Sequence, residues 1–438
     1  MAISKAEQAE KDIKHATLLG RLGVYFRALG PGLITGASDD DPSGIGTYAQ
    51  TGAQFGYTQL WMALFTFPLM TVIQEICARV AMQTGTGLAT VLRKSYPRPV
   101  LYFCLLLLCI ANTFNLGADL GAMAAAARLL VPLPIYVWLA IITIVILVLL
   151  IFISYNGYAR ILRFLTLSLA AYVLVVFAVR QDWGQALRNT LIPSLQFNQA
   201  YLMNLVAVLG TTISPYLFFW QASQEVEEKI EQGETSLAAR KGTSNVKLKW
   251  MRADVTTGML LSNVVMWFIV VTTASTLFRN GIFQVDSAAK AAEALQPVAG
   301  PFAAALFAAG IVGTGALAVP VLAGSVAYAA GDTFQFREGL SRKWYQAPQF
   351  YAVIVLATLV GACINLLNIN PMTALYYSAI LNGLAAPPLL FMLMLIGNNR
   401  KIMREHTNGR LTNIVGWVTT VAMTLAAVAL LITFKNGQ

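Results

Sequence analysis

The chain contains about eleven apolar segments, each close to the ~20 residues that a helix needs to cross a bilayer. Of the 438 residues, 57% are hydrophobic and only 11% are charged, and the mean hydropathy is +0.64. This composition is too apolar for the hydrated surface of a soluble enzyme. It predicts an all-α polytopic membrane protein embedded in lipid. The predicted spans are 29–53, 58–80, 99–127, 133–154, 161–179, 199–224, 254–278, 299–329, 348–368, 371–397 and 412–434.

Basic residues lie mainly on one side of these spans. Most of the 30 lysines and arginines fall in alternate connections, and positive charge favours the cytoplasmic side. The net charge of +10 therefore reports membrane orientation, with the N-terminus inside, and we expect no nucleic-acid partner. We expect an integral protein of the bacterial inner membrane, because the polar N-terminus shows no cleavable signal. The predicted cytoplasmic segments are 1–28, 81–98, 155–163, 225–253, 330–347 and 398–411, of which 225–253 is expected to be a solvated helical extension and loop.

Three consecutive acids interrupt the first span, within Ser38–Gly44. An acid inside a membrane span is by default a functional site, because lipid cannot solvate it. Asp41 directly precedes Pro42, which predicts a broken helix with Asp41 as an N-cap, as a cation ligand, or as both. Asp39 and Asp40 are candidates for the transport pathway or its vestibule.

A second break is predicted in the sixth span. Thr211 and Ser214 are three residues apart, and Pro215 frees a backbone carbonyl one turn earlier. Hydroxyl and carbonyl oxygens suit hard divalent cations, but the same hydroxyls in a kinked helix can bond to their own backbone. Tyr216 and Gln221 follow as possible pathway residues.

The two breaks occupy matching positions if residues 29–180 and 199–397 are repeats of five spans each. An odd number of spans inverts the second repeat, and paired broken helices in an inverted repeat point to a binding site at the membrane midplane. We therefore expect a cytoplasmic segment, 1–28, and one transport domain, 29–434. The span 412–434 would lie outside the repeats.

Other polar residues lie within predicted spans. Asp119 is equally compatible with transport and with a structural role, and Asn382 is a possible distal oxygen ligand. Glu75 and Arg79 are spaced to form an ion pair on one helix, which favours a structural role. Both histidines lie in predicted cytoplasmic segments, and we find no phosphate-binding loop. No resident cofactor, enzymatic activity or obligatory protein partner is predicted.

The two broken segments resemble those of the Nramp family of divalent-metal transporters. The resemblance rests on Gly30-Pro31-Gly32 with Asp41-Pro42-Ser43-Gly44, and on Thr211–Tyr216, and the span pattern extends it over the chain. It implies the LeuT-type fold of two inverted five-helix repeats plus an extra helix. It also implies a divalent cation as substrate.

The chain departs from the typical family pattern at the implied metal ligands. Typical members carry Asp-Pro-Gly-Asn in the first span, and the asparagine position is Gly44 here. In the sixth span the alanine, methionine and histidine positions are Thr211, Ser214 and Tyr216, and a later histidine position is Gln221. The acid expected three residues after Asp119 is Ala122.

Loss of the soft methionine sulfur and of the histidines favours a hard cation held by oxygen. The departures resemble the Nramp-related magnesium transporters, which implies transport of Mg²⁺ first and Mn²⁺ second, with weak or no proton coupling. Two alternatives stay open at this stage. One is a transporter of a small organic solute, with Phe218, Phe219 and Trp220 as an aromatic wall. The other is a protein without transport, in which Asp41 is only a helix cap.

Overall fold

The computed structural model describes Asp12, residues 18–152 and residues 169–436, and these ranges contain helices and no strand. We number the longer helices α1 to α17 in chain order. They are α1 Leu18–Ala28, α2 Pro31–Asp39, α3 Pro42–Phe55, α4 Trp61–Thr84, α5 Leu88–Ser95, α6 Arg98–Leu130, α7 Ile135–Phe152, α8 Ala170–Ala178, α9 Trp183–Leu191, α10 Gln199–Thr212, α11 Pro215–Glu231, α12 Asn245–Thr276, α13 Ala288–Glu293, α14 Ala303–Phe334, α15 Pro348–Ile364, α16 Pro371–Asn398 and α17 Arg410–Asn436.

Nine helical segments of the described ranges are long and apolar enough to cross a bilayer. The first predicted span is divided into α2 and α3, neither of which reaches that length. Residues 161–168 of the fifth predicted span lie outside the described ranges, as does His15, and the rest of that span includes α8. The predicted N-terminal segment is likewise described only in part.

The connection predicted at 225–253 extends the neighbouring helices and leaves a loop between them. Helix α11 continues to Glu231 and α12 begins at Asn245. Lys229 is only 4% exposed, and its Nζ donates to the carbonyl oxygens of Met82, Arg240 and Gly242. Lys229 therefore attaches this connection to the end of α4, while residues of the loop such as Thr235 and Ser236 are exposed.

A proline begins the second helix at both breaks, and a side chain also caps that helix at the first break. Pro42 begins α3, and the Asp41 carboxylate accepts a hydrogen bond from the Gly44 N–H at 2.6 Å. Pro215 begins α11 after Ser214, whose backbone is extended. Proline suits the first turn of a helix because its missing N–H would have no partner there. The sequence signals for the two breaks are confirmed.

Helix α2 lies against α12 along a stripe of three residues spaced by four, Asp254, Gly258 and Ser262, which we call the α12 stripe. Asp254 accepts hydrogen bonds from three N–H groups at the start of α2. A Cβ atom on Gly36 would overlap the backbone of Gly258. This stripe positions α2, and with it the acids at the end of α2.

The predicted pair on α4 is an ion pair at the end of the bundle that the sequence predicts to face the cytoplasm. Arg79 Nε lies 3.0 Å from Glu75 Oε1, and the same carboxylate accepts from Arg252 of α12 at 3.1 Å. Arg79 also donates to the carbonyl oxygen of His406 and to Asn408. The pair therefore connects α4, α12 and the segment before α17, as a structural role requires.

Candidate functional site

The two helix breaks lie next to each other in the interior. The first break is at Asp40–Asp41 and the second at Ile213–Ser214. A Cβ atom placed on Gly44 would lie 3.3 Å from Thr211 Oγ1, so the start of α3 approaches the end of α10 closely. The structure thus brings together two interruptions that are 173 residues apart in the sequence.

The Asp41 carboxylate is both a helix cap and part of a wider polar network. Its Oδ1 accepts from the Gly44 N–H, as described above. Its Oδ2 accepts from Asn115 Nδ2 at 2.9 Å and from the Tyr216 hydroxyl at 3.4 Å. The side chain is buried. Asp41 therefore connects α3, α6 and α11 at one point.

Helix α6 presents a polar face to this point. Asn112, Asn115 and Asp119 share that face because they are three and four residues apart, and each is fully buried. Neither carboxylate oxygen of Asp119 has a hydrogen bond of normal geometry, although the Ser43 backbone and the Asp41 carboxylate both lie near it. The α6 face leaves a buried carboxylate available to a ligand.

The hydroxyl groups of the second break differ in what they contact. Ser214 Oγ donates to the carbonyl oxygens of Gly210 and Thr211, at 2.8 and 2.7 Å. This is the bonding to its own backbone that the sequence allowed as an alternative. Tyr216 donates to the carbonyl oxygen of Ser38 at 3.1 Å. The Tyr216 side chain therefore reaches from α11 to the end of α2.

Three oxygen atoms surround the position where Gly44 lacks a side chain. A Cβ atom there would lie 3.0 Å from the Asp39 carbonyl oxygen, 3.3 Å from Thr211 Oγ1 and 3.4 Å from Asp41 Oδ1. One carbonyl, one hydroxyl and one carboxylate oxygen thus converge on the same small volume. We call this arrangement the Gly44 oxygen cluster.

Asp39 and Asp40 turn toward α12 instead. Ser262 Oγ lies 2.6 Å from Asp39 Oδ2 and 3.3 Å from Asp40 Oδ1. Asp39 Oδ1 is buried without a hydrogen-bond partner, and the buried Tyr48 hydroxyl lies beside Thr211. The sequence left open which acid faces the pathway, and the structure places both beside Ser262.

Gln221 connects the broken helices below the site. Thr35 Oγ1 on α2 donates to Gln221 Oε1 at 2.5 Å, and Gln221 Nε2 donates to Glu225 Oε1 at 2.9 Å. Glu225 in turn lines a cavity of about 60 Å³ that also contacts Gly30 and Asp254. A polar route thus leads from α2 and α11 toward the predicted cytoplasmic side.

Asn382 lies on α16, fully buried, and neither atom of its amide has a hydrogen-bond partner. The aromatic residues considered as a wall for an organic solute lie elsewhere. Phe218 and Phe219 face leucines of α5 and α16, and Trp220 packs edge-on against Tyr328. Among these aromatic positions of α11, only Tyr216 contacts Asp41.

Sequence reasoning missed four residues that shape this region: Asn115, Tyr48, Asp254 and Ser262. The spacing of Asn112, Asn115 and Asp119 was a readable signal for a polar helix face. The others act across helices, and no local pattern reports such contacts. No group of three or more His, Cys, Asp or Glu side chains in the described ranges is arranged to hold a metal. A cation here would thus depend on mixed oxygen ligands.

The profile of the family described as natural resistance-associated macrophage protein-like, Nramp, matches residues 32–433. The chain belongs to the Nramp family. The resemblance carried by the two broken segments is therefore confirmed, and the family consists of divalent-metal transporters rather than enzymes.

Among curated relatives, the divalent metal cation transporter MntH of Deinococcus radiodurans is 26% identical, with 93% of this chain and 91% of that protein covered. The MntH of Bacillus subtilis is 25% identical, with 99% and 98% covered. This Nramp chain is thus similar to bacterial transporters over nearly their whole length.

Among solved structures, a manganese transporter of Eremococcus coleocola superposes with a TM-score of 0.75 at 18% identity, over 92% of this chain and 85% of that one. Mhp1, a nucleobase-cation-symport-1 transporter, gives 0.60 at 14% identity, over 93% of each chain. These likenesses show the fold, which is the LeuT-type fold expected for an Nramp protein.

Proposed function

We propose that this chain carries hard divalent cations, Mg²⁺ first and Mn²⁺ second, across a bacterial inner membrane by alternating access, with weak or no proton coupling. The observation that carries the proposal is the Gly44 oxygen cluster. It offers a carboxylate, a hydroxyl and a carbonyl oxygen, with neither sulfur nor imidazole. Mg²⁺ prefers such ligands and keeps several of its waters.

Asp41 is the principal ligand in this proposal, with Thr211 and the Asp39 carbonyl completing the protein side. Ser214 is a weaker candidate, because its hydroxyl proton is engaged by its own helix. Asp119 and Asn382 bring unpartnered polar atoms, which suit contact with the waters of the ion. Asp40, Tyr216 and Gln221 line the approach.

We also propose that transport needs no resident cofactor, no phosphate-binding site that supplies energy and no obligatory protein partner. The ion enters down its own gradient and the inside-negative potential, which is worth about 2.3 kcal/mol per charge per 100 mV. The two repeats, 29–180 and 199–397, supply the broken helices. The first, second, sixth and seventh predicted spans rock against the remainder, and 412–434 packs outside.

The test is uptake of Mg²⁺ and Mn²⁺ into proteoliposomes under an imposed potential, with a pH dye inside. We compare the parent with Asp41→Asn, because the amide oxygen still caps α3 at Gly44 while the charge is lost. Asp182→Asn is the matched control, since Asp182 caps α9 through Gln185, away from the breaks. We expect uptake to fall at least tenfold in Asp41→Asn only, and the dye to stay silent.

Retained uptake in Asp41→Asn would overturn the assignment of the ligand. Absence of metal uptake in a correctly inserted parent would overturn the substrate, and a dye signal that requires the metal would overturn the proposal on coupling. If the substrate is an organic solute, amino acids, sugars or amines should raise the melting temperature of the chain, and metals should leave it unchanged.

A further inference from the structure

A cavity of about 590 Å³ lies between α6, α16 and α17, away from the helix breaks. Pockets that hold small ligands in proteins measure roughly 300–1,000 Å³, so this space is large enough for part of an organic molecule. We call it the α6–α17 groove, and its walls include Pro99, Phe103, Pro388, Phe391, Thr420 and Thr424.

The groove offers an apolar surface and is open toward lipid. Its two threonine hydroxyls are already engaged within α17, since Thr420 donates to the Gly416 carbonyl at 2.8 Å and Thr424 to the Thr420 carbonyl at 2.6 Å. Phe103 is 51% exposed and Phe391 is 47% exposed, and both lie on helices long and apolar enough to cross a bilayer. An occupant of this groove is therefore apolar and enters from the membrane.

The groove lies at the depth of one lipid leaflet. On α16 it extends from Met392 to Pro387, which are six and eleven residues before the helix ends at Asn398. At about 1.5 Å per residue, these positions are roughly 9 to 16 Å from the helix end. Half of a hydrocarbon core of ~30 Å has a similar depth. The groove thus lies beside the acyl chains of the leaflet on the side predicted as cytoplasmic.

Positive charge surrounds the end of the groove that meets the membrane surface. Arg98 begins α6 directly before Pro99 of the groove wall. It is exposed and forms no ion pair within the described ranges. The two connections at this end, 93–98 and 398–410, carry one acid, Glu405, and the bases Arg93, Lys94, Arg98, Arg400, Lys401, Arg404 and Arg410. Basic pockets between membrane helices on the cytoplasmic side bind anionic lipid headgroups.

We propose that the α6–α17 groove binds one anionic phospholipid of the cytoplasmic leaflet. An acyl chain lies between α6, α16 and α17, and the phosphate lies at Arg98. The lipid thereby joins α17, which is outside the two repeats, to a helix of each repeat. Cation transport is not a premise of this inference, because the site is separate from Asp41 and takes a different class of ligand.

The experiment is native mass spectrometry of the purified full chain in detergent, with added phosphatidylglycerol or phosphatidylcholine of identical acyl chains. The first lipid is anionic, and the second carries no net charge. We expect one tightly bound phosphatidylglycerol per chain, with an affinity at least fivefold above that of phosphatidylcholine.

Arg98→Gln tests the headgroup contact, and we expect it to weaken phosphatidylglycerol binding about fivefold, the effect of one base near an anionic surface. Binding of phosphatidylcholine should stay unchanged. Arg128→Gln is the matched control, because Arg128 is an exposed base at the opposite end of the same helix. We expect it to bind both lipids like the parent.

Val100→Trp tests the acyl-chain contact by filling the groove from α6. We expect it to weaken binding of both lipids at least tenfold. Leu106→Trp is its control, because Leu106 is 57% exposed on α6 and does not line the groove. Melting temperatures identify a variant that fails to fold. If Val100→Trp fails, the comparison of Arg98→Gln with Arg128→Gln decides.

Several lipids bound with equal affinity, and unaffected by Val100→Trp, would be ordinary boundary lipid and would overturn the site. Equal affinity for the two lipids, or an Arg98→Gln variant that binds like the parent, would overturn the anionic headgroup at Arg98. Each of these results leaves the proposed transport of divalent cations untouched.

Discussion

Asn115 holds the Asp41 carboxylate from across the helix break, with its Nδ2 atom 2.9 Å from Oδ2. The two residues belong to different helices, and both are buried. The same carboxylate caps α3 through its other oxygen. One side chain therefore sets the start of a helix with Oδ1 and the orientation of the candidate site with Oδ2.

Asn115→Ala should weaken ion binding by releasing Asp41 from this orientation. A hydrogen bond to a charged group contributes about 1.5–3 kcal/mol, which corresponds to roughly ten- to hundredfold in apparent affinity. Uptake measured against Mn²⁺ concentration gives the KM. Asn112→Ala is the control, because Asn112 lies on the same face of α6 but donates to Ser325. An unchanged KM in Asn115→Ala would contradict the orienting role.

Gly44→Ala should reduce uptake about tenfold without unfolding the protein. The added Cβ enters the Gly44 oxygen cluster at 3.0 Å from a backbone oxygen, and forced overpacking costs about 1–3 kcal/mol. Gly46→Ala is the matched control two residues later, where the Cβ meets the flexible end of Leu375. Equal uptake by the two variants would show that the space at Gly44 is unimportant.

Asp254→Ala should loosen the start of α2. The variant leaves the N–H groups of Gly30, Gly32 and Leu33 without their carboxylate acceptor, and losing a cap costs about 0.5–2 kcal/mol. Hydrogen exchange measured by mass spectrometry should be about tenfold faster in the peptide covering 30–36. Ser287→Ala removes the cap of α13 and should leave this peptide unchanged. Unaltered exchange in Asp254→Ala would show that other contacts hold α2.

Glu338, in the connection after α14, should make stability depend on pH. Burial and the carboxylates of Asp332 and Glu227 raise the pKa of Glu338 well above its ordinary value. The folded state therefore binds this proton more tightly than the unfolded state, so stability falls as pH rises from the ordinary pKa to the raised one. The slope is at most about 1.4 kcal/mol per pH unit for one proton.

Glu338→Gln removes this titration, so its melting temperature relative to the parent should increase between pH 5 and pH 8. Gln296→Asn, which changes no titratable group, is a control for which the difference should stay constant. A parallel pH dependence of the parent and Glu338→Gln would rule out Glu338 as the source.

The sequence was most informative where chemistry is local. Two local pairs, Asp41-Pro42 and Ser214-Pro215, each predict that one helix ends and another begins within a few residues. The repeat spacing then indicated that the two breaks meet. The exact ends of α11 and α12 were not predictable, because buried contacts such as those of Lys229 decide how far a charged helix extends.

The partners of the acids were beyond sequence reasoning. Ser262 and Asn115 contact the first break from residues far away in the chain, and their identity as partners depends on how α12 and α6 cross it. The sequence also could not decide what the Ser214 hydroxyl contacts, because a serine can either bond to its own helix backbone or face a cation. Only the packed structure distinguishes such alternatives.

The backbone contact between Gly36 and Gly258 limits how the interior can open. With no side chains between them, α2 and α12 interlock at this crossing, and lengthwise sliding would force neighbouring side chains into the crossing. We therefore expect α2 and α12 to move as one unit, with Asp39 and Ser262 at one end of their contact and Asp254 at the other. In the proposed transport cycle, a tilt that opens the contact at Asp254 also changes the distances at Asp39 and Ser262, so access from the cytoplasm and ion binding would change together.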